Sequence, residues 1–108
     1  MKNNLVTEKV REYFNNGPRK IAKVTANDDY TLTVIFDNDE VRIYNMSNNL
    51  FGVFEVLKSI DKFKEVFIDE SGNIAWDKDK NVDSNIIWNN RIDICKDSVY
   101  MDSTLSNQ

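Results

Sequence analysis

The spacing of apolar residues changes several times along the chain, and each change predicts a different element. Leu5, Val6, Val10, Tyr13 and Phe14 fall on one helical stripe, with Thr7 as N-cap and Gly17-Pro18 as the stop. That predicts a short amphipathic helix over 7–15. A helix of this length is marginal alone, so its apolar face packs on its own domain or docks a partner. After Pro18 the period becomes two. Ile21 to Ala26 reads as a strand, Asn27-Asp28-Asp29 as a turn, and Tyr30 to Phe36 as a second strand. In that second strand Tyr30, Leu32, Val34 and Phe36 share one face, opposite Thr31, Thr33 and Ile35. Asp37-Asn38-Asp39-Glu40 predicts a hairpin turn, since Asn and Asp tolerate left-handed backbone. Val41-Arg42-Ile43-Tyr44 returns as a third strand, with Val41 and Ile43 expected inward.

Helical spacing resumes over 51–64, where Ser59 and Asp61 divide the segment into two short helices. Val66-Phe67-Ile68 predicts a fourth strand, Asp69 to Asn73 a turn, and Ile74-Ala75-Trp76 a fifth strand. A polar run from Asp77 to Asn85 follows, then Ile86-Ile87-Trp88, then Arg91 to Cys95, then a turn around Asp97 to Tyr100. The echo between Ile74-Ala75-Trp76 and Ile86-Ile87-Trp88 suits a second hairpin but is no repeat architecture. The expectation is an α+β fold: a small curved antiparallel sheet with a short helical crossover. Residues 1–17 form the N-terminal helix, 18–101 one domain, and 102–108 a polar, flexible tail.

Composition mainly removes options. The 108 residues include 12 aromatics (2 Trp, 4 Tyr, 6 Phe), enough for a packed core. With no His there is no imidazole base or metal ligand, and a single Cys95 excludes an internal disulfide or a Cys-x-x-Cys site. No stretch approaches the ~20 apolar residues of a membrane span, and no apolar segment follows Met1 to Leu5. A soluble, cytoplasmic protein without membrane contact is expected.

Charge is uneven. Residues 1–23 hold six cations against two acids, +4, so with the chain at −4 residues 24–108 sum to −8. Such a body disfavours direct contact with nucleic acid and suits a protein partner with a basic surface. The alternative is a nucleic-acid-associated regulator that uses Lys9, Arg11, Arg19 and Lys20.

Asp77-x-Asp79-x-Asn81-x-Asp83-x-Asn85 spaces oxygen ligands as a calcium loop does. Val82 replaces the glycine of position six and Trp88 the glutamate of position twelve, so no metal and no cofactor is expected. Asp93 and Asp97 resemble paired carboxylates, but a turn and a helix cap at Asp97 account for them, and Cys95 has no His to activate it. No catalytic residue emerges. Asp77, Asp79 and Asp83 with the aromatic Trp88 and Tyr100 form the expected partner contact, because aromatics dominate interface energetics.

From Pro18 onward the chain resembles a bacterial domain-of-unknown-function family, number 2442. The resemblance rests on Pro18-Arg19 before a strand, Asp28-Asp29-Tyr30-Thr31-Leu32-x-Val34-x-Phe36-Asp37-Asn38, and Glu40-Val41-Arg42-x-Tyr44. Phe54-x-x-Leu57 and Phe63-x-x-Val66 follow, with the ending Trp88-Asn89-Asn90-x-Ile92-Asp93-Ile94-x-x-Asp97-x-x-Tyr100. Asp39 stands where the family usually has Gly, Asn45 where it often has Asp, and 77–87 looks inserted. The resemblance implies a small α+β fold and no known catalysis. By association it also suggests an antitoxin-like or regulatory role. The functional expectation is a non-enzymatic module, monomer or homodimer, that binds and occludes a partner. One version is antitoxin-like. The other is an acidic, anti-CRISPR-like inhibitor of a nucleic-acid-binding defence effector.

Overall fold

The computed structural model describes residues 19–106, so the helix expected over 7–15, with Lys9 and Arg11, lies outside the described residues. The described chain is α+β. A meander of β1 (Ile21–Ala26), β2 (Thr31–Phe36) and β3 (Val41–Asn45) comes first. A 3-10 helix η1 (Gly52–Lys58) and α1 (Ile60–Phe63) cross to a second sheet, with Ser59 between them. That sheet holds β4 (Phe67–Ile68), β5 (Ile74–Asp77) and β6 (Arg91–Ile94), with a 3-10 turn η2 (Trp88–Asn90) just before β6. The chain returns through α2 (Lys96–Asp102) to β7 (Thr104–Leu105). The strand orders are β1-β2-β3-β7 and β4-β5-β6, with antiparallel pairing throughout.

Alternation in β2 works as its pattern predicts. Leu32, Val34 and Phe36 are fully buried and meet Leu57, Phe63, Ile74, Trp76 and Val99 in one core. Phe63 and Trp76 stack with centroids 5.9 Å apart, and the Trp76 indole N–H donates to the Phe63 carbonyl at 2.9 Å. The stack thereby places a buried polar atom with a partner.

Tyr30 belongs to the turn rather than the strand. Its φ of 64° is left-handed, costly for an aromatic by about 1 kcal/mol. The conformation turns its ring onto Phe63, 5.3 Å between centroids, and lets its hydroxyl donate to the Lys58 carbonyl. Asp39, at φ 67°, takes the hairpin position where the resembled family usually has glycine, which needs no Cβ tolerance there.

The turn expected around Asp97 to Tyr100 is part of α2, and three further expectations change. In β3, Val34 pairs with Arg42 and Leu32 with Tyr44, so Arg42 and Tyr44 share the core face. Val41 and Ile43 lie on the opposite face beside Ile35 and Thr33, half-buried rather than inward. Parity decides this: a one-residue shift in register exchanges the two faces of a strand. The second hairpin pairs β5 with 91–94, not with Ile86-Ile87-Trp88. The N–H groups of Ile86 and Ile87 bond to the Asp83 carbonyl, which coils that stretch into turns. Past Asp102, Ser103 is buried and Thr104 and Leu105 pair with Ile43 and Arg42, so the stretch read as the start of a flexible tail is a sheet edge.

Candidate functional site

Two regions carry the polar side chains that sequence singled out, and they do different things. In the four-stranded sheet Arg42 is buried, at 6% exposure, and fully engaged. Its Nε donates to Ser103 Oγ at 2.8 Å, Nη2 to the Ser103 carbonyl at 3.1 Å, and Nη1 to Glu40 Oε1 at 2.8 Å. Its guanidinium sits 4.5 Å from the Tyr100 ring centroid, and the Tyr100 hydroxyl donates to the same Glu40 oxygen at 3.0 Å. Tyr100 also meets Phe36 edge-on at 4.9 Å. Burial first, and then the Glu40 hydrogen bond, push the Tyr100 phenol above its ordinary range. This closed network fastens α2 to the hairpin and is structural in character. Arg19 is paired with Asp37 at 3.6 Å, and the Lys20 carbonyl receives the Asp37 N–H at 2.8 Å.

In the three-stranded sheet Asp77 accepts from Arg91 Nε at 2.5 Å and from Ser84 Oγ at 2.7 Å. Burial alone would raise its pKa. The hydrogen bonds from Ser84 and Arg91, with the Arg91 and Lys62 charges, outweigh that and hold the carboxyl below its ordinary value. Asp79 and Asp83 are exposed, and each Oδ1 accepts the backbone N–H two residues on, Asn81 and Asn85. Those are turn-forming roles. Among the described residues no group of three or more acidic or thiol side chains converges as metal ligands do. Asn90, 6% exposed, anchors the loop. It accepts from the Asp79 N–H and donates to the Asp79 and Val82 carbonyls and to Ser84 Oγ, at 3.0 to 3.2 Å. The Trp88 backbone lies in η2, and its side chain lies outside the description. Tyr100 belongs to the other sheet's network, so the structure does not bring it together with Asp77, Asp79 and Asp83.

One open strand edge with apolar walls was not singled out by sequence. β6 has β5 on one side and, among the described residues, no strand on the other. Lys78 N–H donates to the Asn90 carbonyl at 2.8 Å, and Trp76 pairs with Ile92 and Ile74 with Ile94. In an antiparallel ladder bonded residues alternate, so the even positions of β6 bond β5 and the backbone groups of Arg91 and Asp93 face outward. Two hollows lie along this edge. One, about 400 Å³, is lined by Tyr44, Met46, Phe51, Phe54, Ile94 and Cys95 together with Asn49 and Asp93. The other, about 300 Å³, is lined by Val53, Lys78, Asn89, Arg91, Ile92 and Asp93. Phe51 and Val53 on the facing wall are 68% and 61% exposed. Gly52 between them has φ 59°, and that left-handed turn sets both side chains outward at the start of η1. The run Leu50-Phe51-Gly52-Val53-Phe54 is apolar on more than one helical face, which was the available sequence signal.

No curated protein and no solved structure matches the chain. Residues 21–104 match the family model described as protein of unknown function (DUF2442), and the chain belongs to that family.

Proposed function

We propose that this protein is a non-enzymatic binding module that acts by covering a surface of a protein partner. The observation that carries the reading is the outward edge of β6 beside two hollows and the exposed Phe51 and Val53. Unpaired strand edges and exposed apolar side chains are both protein-contact chemistry. Residues 24–108 sum to −8, which favours a partner with a basic surface and disfavours nucleic acid. Occlusion of a basic groove, whether on a toxin or on a nucleic-acid-binding effector, is the corresponding mode of action.

Val53→Asp tests the reading, because it places a charge on the wall without touching the core. Tagged wild-type and variant chains are used to capture proteins from nuclease-treated lysate of the source cells. A stoichiometric partner held by the wild type and lost by Val53→Asp is expected. Identical captures from both chains would remove this face from the account.

A further inference from the structure

We infer that the outer edge of β6 pairs with β6 of a second copy of this chain, antiparallel about a two-fold axis through Ile92. The inference rests on the reading of this face as a protein contact and names the occupant the face takes in the isolated protein, where no basic-surfaced partner is present to compete for it. The backbone supplies the first reason. Arg91 and Asp93 direct their N–H and C=O groups away from β5, and Asp93 makes no side-chain hydrogen bond or ion pair among the described residues. A second antiparallel strand satisfies those groups only where outward residues meet outward residues.

Charge then selects among the registers that meet this condition. With the axis on Arg91, two guanidinium groups stand opposite one another, and with the axis on Asp93, two carboxylates do. Like charges directly opposite destabilise a strand pair. With the axis on Ile92, each Arg91 faces Asp93 of the other copy, and the two residues exchange both main-chain bonds. A two-fold contact requires such self-complementarity.

Arg91 remains able to serve a further carboxylate. Its Nε holds Asp77 and its Nη1 lies 3.6 Å from Glu70, while a guanidinium carries five donors. Arg91 and Asp93 occupy the face opposite the buried Ile92, since Asp77 and Ala75 are their partners on β5. The exposed walls at Phe51 and Val53 lie beside the added strand, so pairing removes apolar surface from water as well as satisfying the edge.

Sedimentation equilibrium of the full chain over a range of concentrations tests the pairing. The wild type is expected to show a concentration-dependent dimer. Asp93→Lys sets cation against cation at both pairs and should raise the dissociation constant by about tenfold or more. Asp93→Pro should do the same by removing an outward N–H that the β5 ladder does not use. Arg91→Glu alone should also be monomeric, and mixing it with Asp93→Lys should restore a dimer, because both cross-strand pairs then become opposite in charge. That rescue separates pairing from misfolding. A wild type that stays monomeric at its solubility limit overturns the inference, as does a dimer that survives in both Asp93 variants or a mixture that fails to associate. If the dimer fails while Val53→Asp still loses its captured partner, the binding reading stands without this occupant.

Discussion

Arg42 and Arg91 occupy comparable places in the two sheets, and their surroundings diverge. Each sits on a strand, each lies over an aromatic ring (4.5 Å from Tyr100, 4.9 Å from Phe67), and each holds a carboxylate. Around Arg42 the chain comes back: Ser103 and β7 cover the edge and take the remaining donors. Around Arg91 no strand among the described residues pairs with the far side of β6. The first arrangement is closed and serves the fold. The second leaves main-chain groups and one carboxylate turned outward. Similar local chemistry is therefore closed in one sheet and left open in the other, depending on whether another segment of the chain arrives to cover it.

Replacing each arginine is the largest test of this contrast. Arg42→Ala breaks a buried pair and takes the guanidinium donors from Glu40 and Ser103, a loss of about 3 kcal/mol. Arg91→Ala removes a rim contact and should cost about 1 kcal/mol. Urea denaturation at low protein concentration measures both, and equal losses would erase the distinction between the two regions. Asn90→Ala comes next in size. It strands the Asp79 N–H and carbonyl at once, and about 2 kcal/mol is expected. Hydrogen exchange should show protection lost at Asp79 while amides of β2 stay protected, so that the loop is released and the meander is not. The smallest effect is in acid. The Asp77 carboxyl titrates below its ordinary value in the folded chain, so its stabilisation is complete above the unfolded value of about 3.9 and is lost as pH falls through the lower folded value. Asp77→Asn should flatten that part of a stability–pH curve, and an unchanged acid limb would show that the pair with Arg91 adds nothing.

The meander was legible because its alternation is uninterrupted: Leu32, Val34 and Phe36 announce a buried face at every second residue. Arg42 was illegible for the same physical reason. Val41 and Ile43 look like the inward pair, and nothing local says that a guanidinium will find Ser103, 61 residues away. The loop after Asp77 was read correctly as polar, but polarity does not show which side chain organises it. Asn90 does so from beyond the run. The β6 edge was hidden too, since whether a strand has one neighbour or two is a property of topology rather than of its own residues. Phe51 and Val53 were visible as excess apolar content, though not as a wall.

The separation between Arg42 and Ser103 also has a kinetic meaning. Local hairpins close early, whereas a contact spanning 61 residues must wait for the intervening chain to be arranged. Arg42→Ala is therefore expected to raise the unfolding rate more than it lowers the folding rate, which stopped-flow kinetics in urea would measure. On that expectation the closure by β7 acts on how long the protein stays folded more than on how quickly it folds.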